Sequence, residues 1–227
     1  PIKVGRLSEL GSIQLVLVPL GRSAQGALWN SILAHHPLGA GPLCGAQARY
    51  LIRSSRGWLG GLAFSGAARQ VRVRDQWIGW SLKARIAHRH EVLNNSRFLI
   101  LPNVQAPSLA SHVLSLARRR IVQDWRERYG YEPVLLETYV DTKEHTGHCY
   151  RSANWTCLGQ TQGRGRQDRQ RQKEVHPKTV WVYRLRRDAQ KRLQPEPPQP
   201  PVHQPGHHWT EQECGRVGLP QRLRSRL

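Results

Sequence analysis

Glu137 is the residue of this sequence best placed for unusual chemistry. It lies in the run 134–140, where Val134, Leu136, Thr138 and Val140 alternate with Leu135, Glu137 and Tyr139. A carboxylate in such a strand is neutralised or takes a charged partner. Arg97, on the apolar run 97–101, is the expected partner. The pair reads either as acid–base machinery or as a structural ion pair. Asn94, Asn95, Arg97, Tyr150, Asn154 and Trp155 fall beside strand ends, where clefts form in α/β sheets. They read equally as hydrogen bonds that close loops. Residues 159–169 are rich in Gly and Arg, and Arg164, Arg166, Arg169 and Arg171 offer guanidinium forks for phosphates. The plain alternative is a solvated basic loop. Arg118 and Arg119 add to that basic surface. His145, His148, Cys149 and Cys157 match no zinc spacing, so no metal is expected. No other cofactor is expected either.

These residues need a scaffold, and the hydropathy pattern predicts one. Runs 13–19, 49–54 and 58–64 read as strands, the last two as a hairpin around Ser55, Arg56 and Gly57. Helices are expected over 24–36 and, more weakly, 81–92. The run QWIGWS (76–81) reads as an aromatic edge. Residues 107–129 predict a long helix, with Ala110, Leu114, Ala117, Ile121 and Trp125 on one buried face and Gly130 as its stop. Strands at 134–140, 156–162 and 179–185 follow, with a short helix at 147–155. The strands on either side of the long helix are expected to be parallel neighbours. The result is an α/β (α+β) mixed sheet with a long central helix.

Composition bounds the function. The chain has 227 residues, 35 Lys+Arg against 15 Asp+Glu and a net charge of +20, with Arg far outnumbering Lys. That balance points to a polyanion, DNA first, or reflects a GC-rich coding bias. No apolar run is long enough for a transmembrane helix and no leader pattern opens the sequence, so no membrane and a cytoplasmic setting are expected. The sequence lacks Met, which suggests a fragment. Residues 1–194 read as a folded domain, 195–206 as a Pro-rich linker and 207–227 as a short basic tail.

The runs NNSRFLILP (94–102), LASHVLSLARRR (109–120), LLETYV (135–140), CYRSANW (149–155) and GQTQGRGRQDR (159–169) resemble the Druantia DruA family, found in anti-phage defence and near transposons. QWIGWS and residues 57–68 fit the same family. The tail WTEQECGRVGLPQRLRSRL (209–227) is similar to the start of the DNA-binding domain of bacterial DDE transposases. The order strand, long helix, strand, short helix with Tyr, strand also looks like the GNAT acetyltransferase fold. That likeness implies a general-acid role for Tyr150 beside Glu137. It also implies a glycine-containing pyrophosphate loop, which PNVQAPSL (102–109) lacks. The leading expectation is a nucleic-acid-binding module without complete catalytic machinery, partnered by DNA and by other defence or transposition proteins. The alternatives are a GNAT-like acyltransferase or small-ligand enzyme, and an inactive fragment.

Overall fold

Short strands and helices alternate from the first residues of the chain. A computed structural model describes residues 1–43, 45–162 and 176–198. Strand β1 (Ile2–Lys3) is followed by β2 (Gln14–Leu17) and helix α1 (Ala24–Leu33), which opens on Ser23 accepting the Gly26 N–H. The hairpin β3 (Gln47–Ser54) and β4 (Gly57–Gly66) comes next. Helices α2 (Arg72–Ile78) and α3 (Leu82–His88) then lie between β4 and β5 (Val92–Ile100). After β6 (Val104–Gln105) runs α4 (Leu109–Tyr129), then β7 (Leu135–Asp141), α5 (His148–Ser152), β8 (Thr156–Gln160), β9 (Lys178–Arg184) and α6 (Ala189–Leu193).

One seven-stranded sheet, in the order β2-β3-β4-β5-β7-β9-β8, holds most of these strands, and β1 pairs with β6 alone. Within the sheet only β5 and β7 are parallel, as expected for strands joined through a long helix. Strand β5 starts at Val92, well before the apolar run that marks it in sequence, and β9 inserts between β7 and β8.

The 21 residues of α4 bury Leu109, Val113, Leu114, Ala117, Ile121 and Trp125 at helical spacing. Ala110 stays only half-buried. The helix begins at Leu109, two residues later than expected, because Ser108 takes a left-handed conformation. It ends where Gly130, also left-handed, donates its N–H to Arg126 O. This helix covers the sheet face that carries Tyr50, Phe64, Leu93, Leu136 and Val140. On the other face α1 packs Trp29 and Leu33 over Leu51 and Ala63. Beside it, α2, α3 and α6 pack Ile78, Ala84 and Leu193 over Val92, Leu135 and Val182. The result is three layers, helix–sheet–helix. The aromatic run 76–81 packs by an edge as expected: Trp77 lies in α2, which contacts the edge strand β8, and Trp80 is buried just after that helix. No helix among the described residues is long and apolar enough to cross a membrane.

Gly60, in the middle of β4, has φ +154, and a Cβ there would fall on Leu99 O across the strand pair. Gly60→Ala must therefore push β4 off β5. The expected loss is about 3 kcal/mol, read as a lowered urea midpoint with unchanged slope.

Candidate functional site

The parallel ladder between β5 and β7 lasts for three residue pairs and ends at Asn94↔Glu137. Just beyond it β5 changes register against β4: Ala63 faces Arg97 and Phe64 faces Asn95, which leaves Ser96 opposite nothing. This bulge bends β5 away from β7. Asn95, 5% exposed, holds the bend. Its Nδ2 donates to Ala63 O and Arg97 O, both at 3.1 Å. Its Oδ1 accepts the Tyr150 hydroxyl at 2.8 Å, and its backbone carbonyl accepts Thr138 Oγ1 at 3.1 Å. Four segments thus meet at one residue: β4, β5, β7 and α5.

An aromatic line leads outward from this point. Phe98 and Trp155 meet the Tyr150 ring edge-on, and Trp155 in turn meets Tyr183. Arg118 lies over the Tyr183 ring, 5.1 Å from its centroid, and donates to the Tyr183 hydroxyl. Burial pushes the Tyr150 phenol well above its ordinary range. Asn154, left-handed at φ 63, ends the turn that brings Trp155 back to Tyr150.

Glu137 belongs to the opposite sheet face. Leu136 and Val140 share the α4-side core with Tyr150, whereas Leu135 packs with α2, α3 and α6. By strand alternation Glu137 points with Leu135. Its partner is Arg74 of α2, not Arg97: Arg74 Nη1 donates to Oε2 at 2.7 Å, with neither side chain exposed. Oε1 accepts the Tyr139 hydroxyl at 2.6 Å and the Ala68 N–H at 3.1 Å. Arg74 also reaches Asp75 and Ala68 O and lies over Trp80. Asp75 in turn takes Val71 N–H, Trp80 Nε1 and Arg85. Burial first, then the Glu137 charge, push Tyr139 well above its ordinary range. The expected Glu137–Tyr150 cleft is corrected accordingly: the sheet stands between the two, and both Glu137 oxygens are committed to structure.

Arg97 cannot reach Glu137 because it lies past the parting of the strands. It donates instead to Gly39 O at 2.8 Å and Ser96 O at 2.7 Å, which draws the segment after α1 onto β5. In that segment His36 Nδ1 accepts the Leu38 N–H at 3.0 Å, so the neutral ring carries its proton on Nε2. Burial, then the Arg97 and His145 charges, lower His36 to about 4. Sequence reasoning missed His36, Arg74 and Thr138, whose partners are distant in the chain.

A family model described as Druantia protein DruA matches residues 6–193. The chain belongs to the Druantia DruA family. Comparison with curated proteins finds no match. Among solved structures, this DruA-family chain is similar to a chimera of the spermidine N-acetyltransferase SpeG from Vibrio cholerae and hSSAT. Identity is 12%, with 76% of this chain and 96% of that chain covered and a TM-score of 0.45. For the aminoglycoside acetyltransferase AAC(6')-Ib, in complex with coenzyme A and kanamycin, the values are 14%, 80%, 98% and 0.43. For the CoA-dependent acyl-homoserine lactone synthase BjaI they are 9%, 80%, 88% and 0.44. The described residues form a mixed sheet with a long central helix, the α/β architecture expected from the sequence.

The expectation of a nucleic-acid-binding module is corrected: the similar solved structures are described as two acetyltransferases, an acyl-homoserine lactone synthase and an N-acyl amino acid synthase. Of the basic residues behind that expectation, Arg118 is engaged with Tyr183, and Arg119 donates to Ser115 O on its own helix. Arg164, Arg166, Arg169 and Arg171 lie outside the described residues, as does the tail with its transposase resemblance, which no comparison supports.

Near the parting of the strands Asn94 Oδ1, Ser96 Oγ and Trp155 Nε1 are buried without hydrogen-bond partners among the described residues. Residues 102–108 do not suit a pyrophosphate. They contain no glycine, Pro102 and Pro107 have no N–H to offer, and the Val104 N–H is spent on Leu101 O.

Two outcomes follow. Arg74→Ala leaves the Glu137 charge buried alone and is expected to cost about 3–5 kcal/mol in urea unfolding, whereas Arg74→Met with Glu137→Leu recovers most of it. His36 is depressed in the folded state, so its contribution is complete above pH 6.5 and is lost as pH falls towards about 4. With half the ring reached by water, that loss is discounted to about 1 kcal/mol. Stability measured from pH 7 to pH 4 should fall less steeply in His36→Gln.

Proposed function

We propose that the domain is a GNAT-like acyltransferase that takes a small acyl ligand where β5 and β7 part. One observation supports this above others: among the described residues Ser96 Oγ, on the bulged residue directly beyond the last ladder pair, is buried and unpartnered. An unmet buried polar atom costs about 1–3 kcal/mol, and the amide or carbonyl groups of a ligand would remove that cost. In this reading the β5 backbone beyond Ser96, released from β7, is the edge along which the ligand lies.

Asn95 aims the Tyr150 hydroxyl. The single Tyr150 O–H is spent on Asn95 Oδ1 and burial raises its pKa, so Tyr150 offers a ligand its hydroxyl oxygen as an acceptor and is no proton source. Glu137 holds the scaffold and takes no part in the chemistry. Since residues 102–108 do not suit a nucleotide pyrophosphate, the ligand class is a short acyl thioester rather than one gripped by its nucleotide.

The test is thermal unfolding of the full chain with N-acetylcysteamine acetyl thioester, which has the arm without the nucleotide, and with acetyl-coenzyme A. The short thioester is expected to stabilise, by about 2.7 kcal/mol at a hundredfold excess over its dissociation constant, and the nucleotide to add little. Asn95→Ala should abolish the shift. Absence of any shift with either probe would sink this reading.

A further inference from the structure

A second concave site lies away from the parting of β5 and β7 and is independent of the acyltransferase reading. A cleft of about 440 Å³ opens where α1, residues 40–43 and the start of β3 meet. Its size is within the range of about 300–1,000 Å³ usual for small-molecule sites. Arg49 and Trp29 form one wall, with the guanidinium 5.4 Å from the centroid of the indole ring. Trp29 belongs to the α1-side core, on the sheet face opposite Tyr150. Pro42 and Leu43 supply apolar surface, and Asn30 and Gln47 supply side-chain amides.

The charge here is unbalanced. Among the described residues no carboxylate lines the cleft. Among the described residues the Arg49 guanidinium makes one hydrogen bond, from Nη2 to Pro19 O at 3.3 Å, which leaves further N–H donors for a ligand. A second guanidinium, Arg128, stands close enough to oppose it, and both described bonds of Arg128 go to carbonyls, those of Gln47 and Val18. Burial, then the Arg128 charge, lower Arg49 from its ordinary value, the opposite of what a carboxylate partner does. A guanidinium on a concave, partly apolar wall, with a second cation near it, is what an oxyanion with a hydrophobic body would complete.

We infer that this cleft binds a small organic acid, its carboxylate on Arg49 and its apolar body against Pro42 and Leu43. The cleft is too small for a macromolecular surface, and its single apolar wall suits one ring or a short chain.

Calorimetry and NMR on the full chain test this with three probes: benzoate, its neutral analogue benzyl alcohol, and inorganic phosphate. Benzoate is expected to bind saturably below about 10 mM and to shift the side-chain amide signals of Asn30 and Gln47. Benzyl alcohol should bind about tenfold more weakly, and so should benzoate to Arg49→Gln. Arg49→Lys, which keeps the charge without the fork, should fall between and serves if Arg49→Gln does not fold. Asn95→Ala should bind benzoate as the parent does, which separates this site from the strand parting. Equal binding of benzoate and benzyl alcohol, or unchanged affinity in both Arg49 variants, would overturn the assignment. So would phosphate binding as tightly as benzoate, since it would show an anion site that ignores the organic body.

Discussion

The Asn95 amide commits all of its side-chain groups to keeping two strands apart. A parallel pair left to itself continues its ladder, because each added pair satisfies two more backbone groups. Here the ladder stops after Asn94, and the extra residue Ser96 must be accommodated. Asn95 does this by tying Ala63 O and Arg97 O across the bulge while Thr138 anchors its carbonyl to β7. With an aliphatic side chain there, two buried carbonyls and a buried phenol would lose partners together. The cost would exceed that of one hydrogen bond, since each group left unmet is desolvated without return. The position of α5 follows from the same amide, because Tyr150 is fixed by it.

The Arg74–Glu137 pair on the reverse face solves a different problem. Helices α2 and α3 sit between β4 and β5 in the chain and must be docked over β5 and β7. Their apolar contribution is small: Ile78, Ala84 and Trp80 are the main buried residues. A buried ion pair is a costly anchor compared with hydrocarbon, but it is directional. Arg74 fixes Ala68 O and Asp75, and Glu137 fixes the Ala68 N–H and Tyr139. The chain leaving β4 is therefore held at both the donor and the acceptor of one residue. Apolar packing alone would let these short helices slide.

Much of this was legible from spacing. The α4 stripe, the β3–β4 hairpin and the parallel neighbours on either side of the long helix follow from periodicity and loop length, which are local. What was not legible depends on distance along the chain. Glu137 finds its partner 63 residues away and Asn95 finds Tyr150 55 residues away. Arg97 is a reasonable guess for Glu137 if β5 continues straight, but the bulge at Ser96 carries it off the pair. Strand alternation alone could have separated Glu137 from Thr138. It could not place Tyr150, which lies on a helix whose docking depends on Asn95. The insertion of β9 between β7 and β8 was equally hidden, because the segment that joins β8 to β9 has no hydrophobic pattern to fix its path.

The charge of the chain shows why composition misled. An excess of arginine over acid reads as affinity for phosphate only if the guanidinium groups face solvent with nothing to bind. Among the described residues many do not. Arg56 donates to Glu9 O, Arg74 to Ala68 O, Arg89 to Ala67 O, Arg97 to Gly39 O, Arg120 to Leu15 O and Arg128 to Gln47 O and Val18 O. Apart from the Arg74 bond, which spans six residues, these bonds join segments far apart in sequence and satisfy carbonyls that lie outside the α-helices. Arginine suits this task better than lysine, since its planar fork can meet two carbonyls at fixed angles. A fold with a parted sheet and many short connections has many such carbonyls. Part of the positive charge therefore serves the fold, and net charge alone does not identify a polyanion partner.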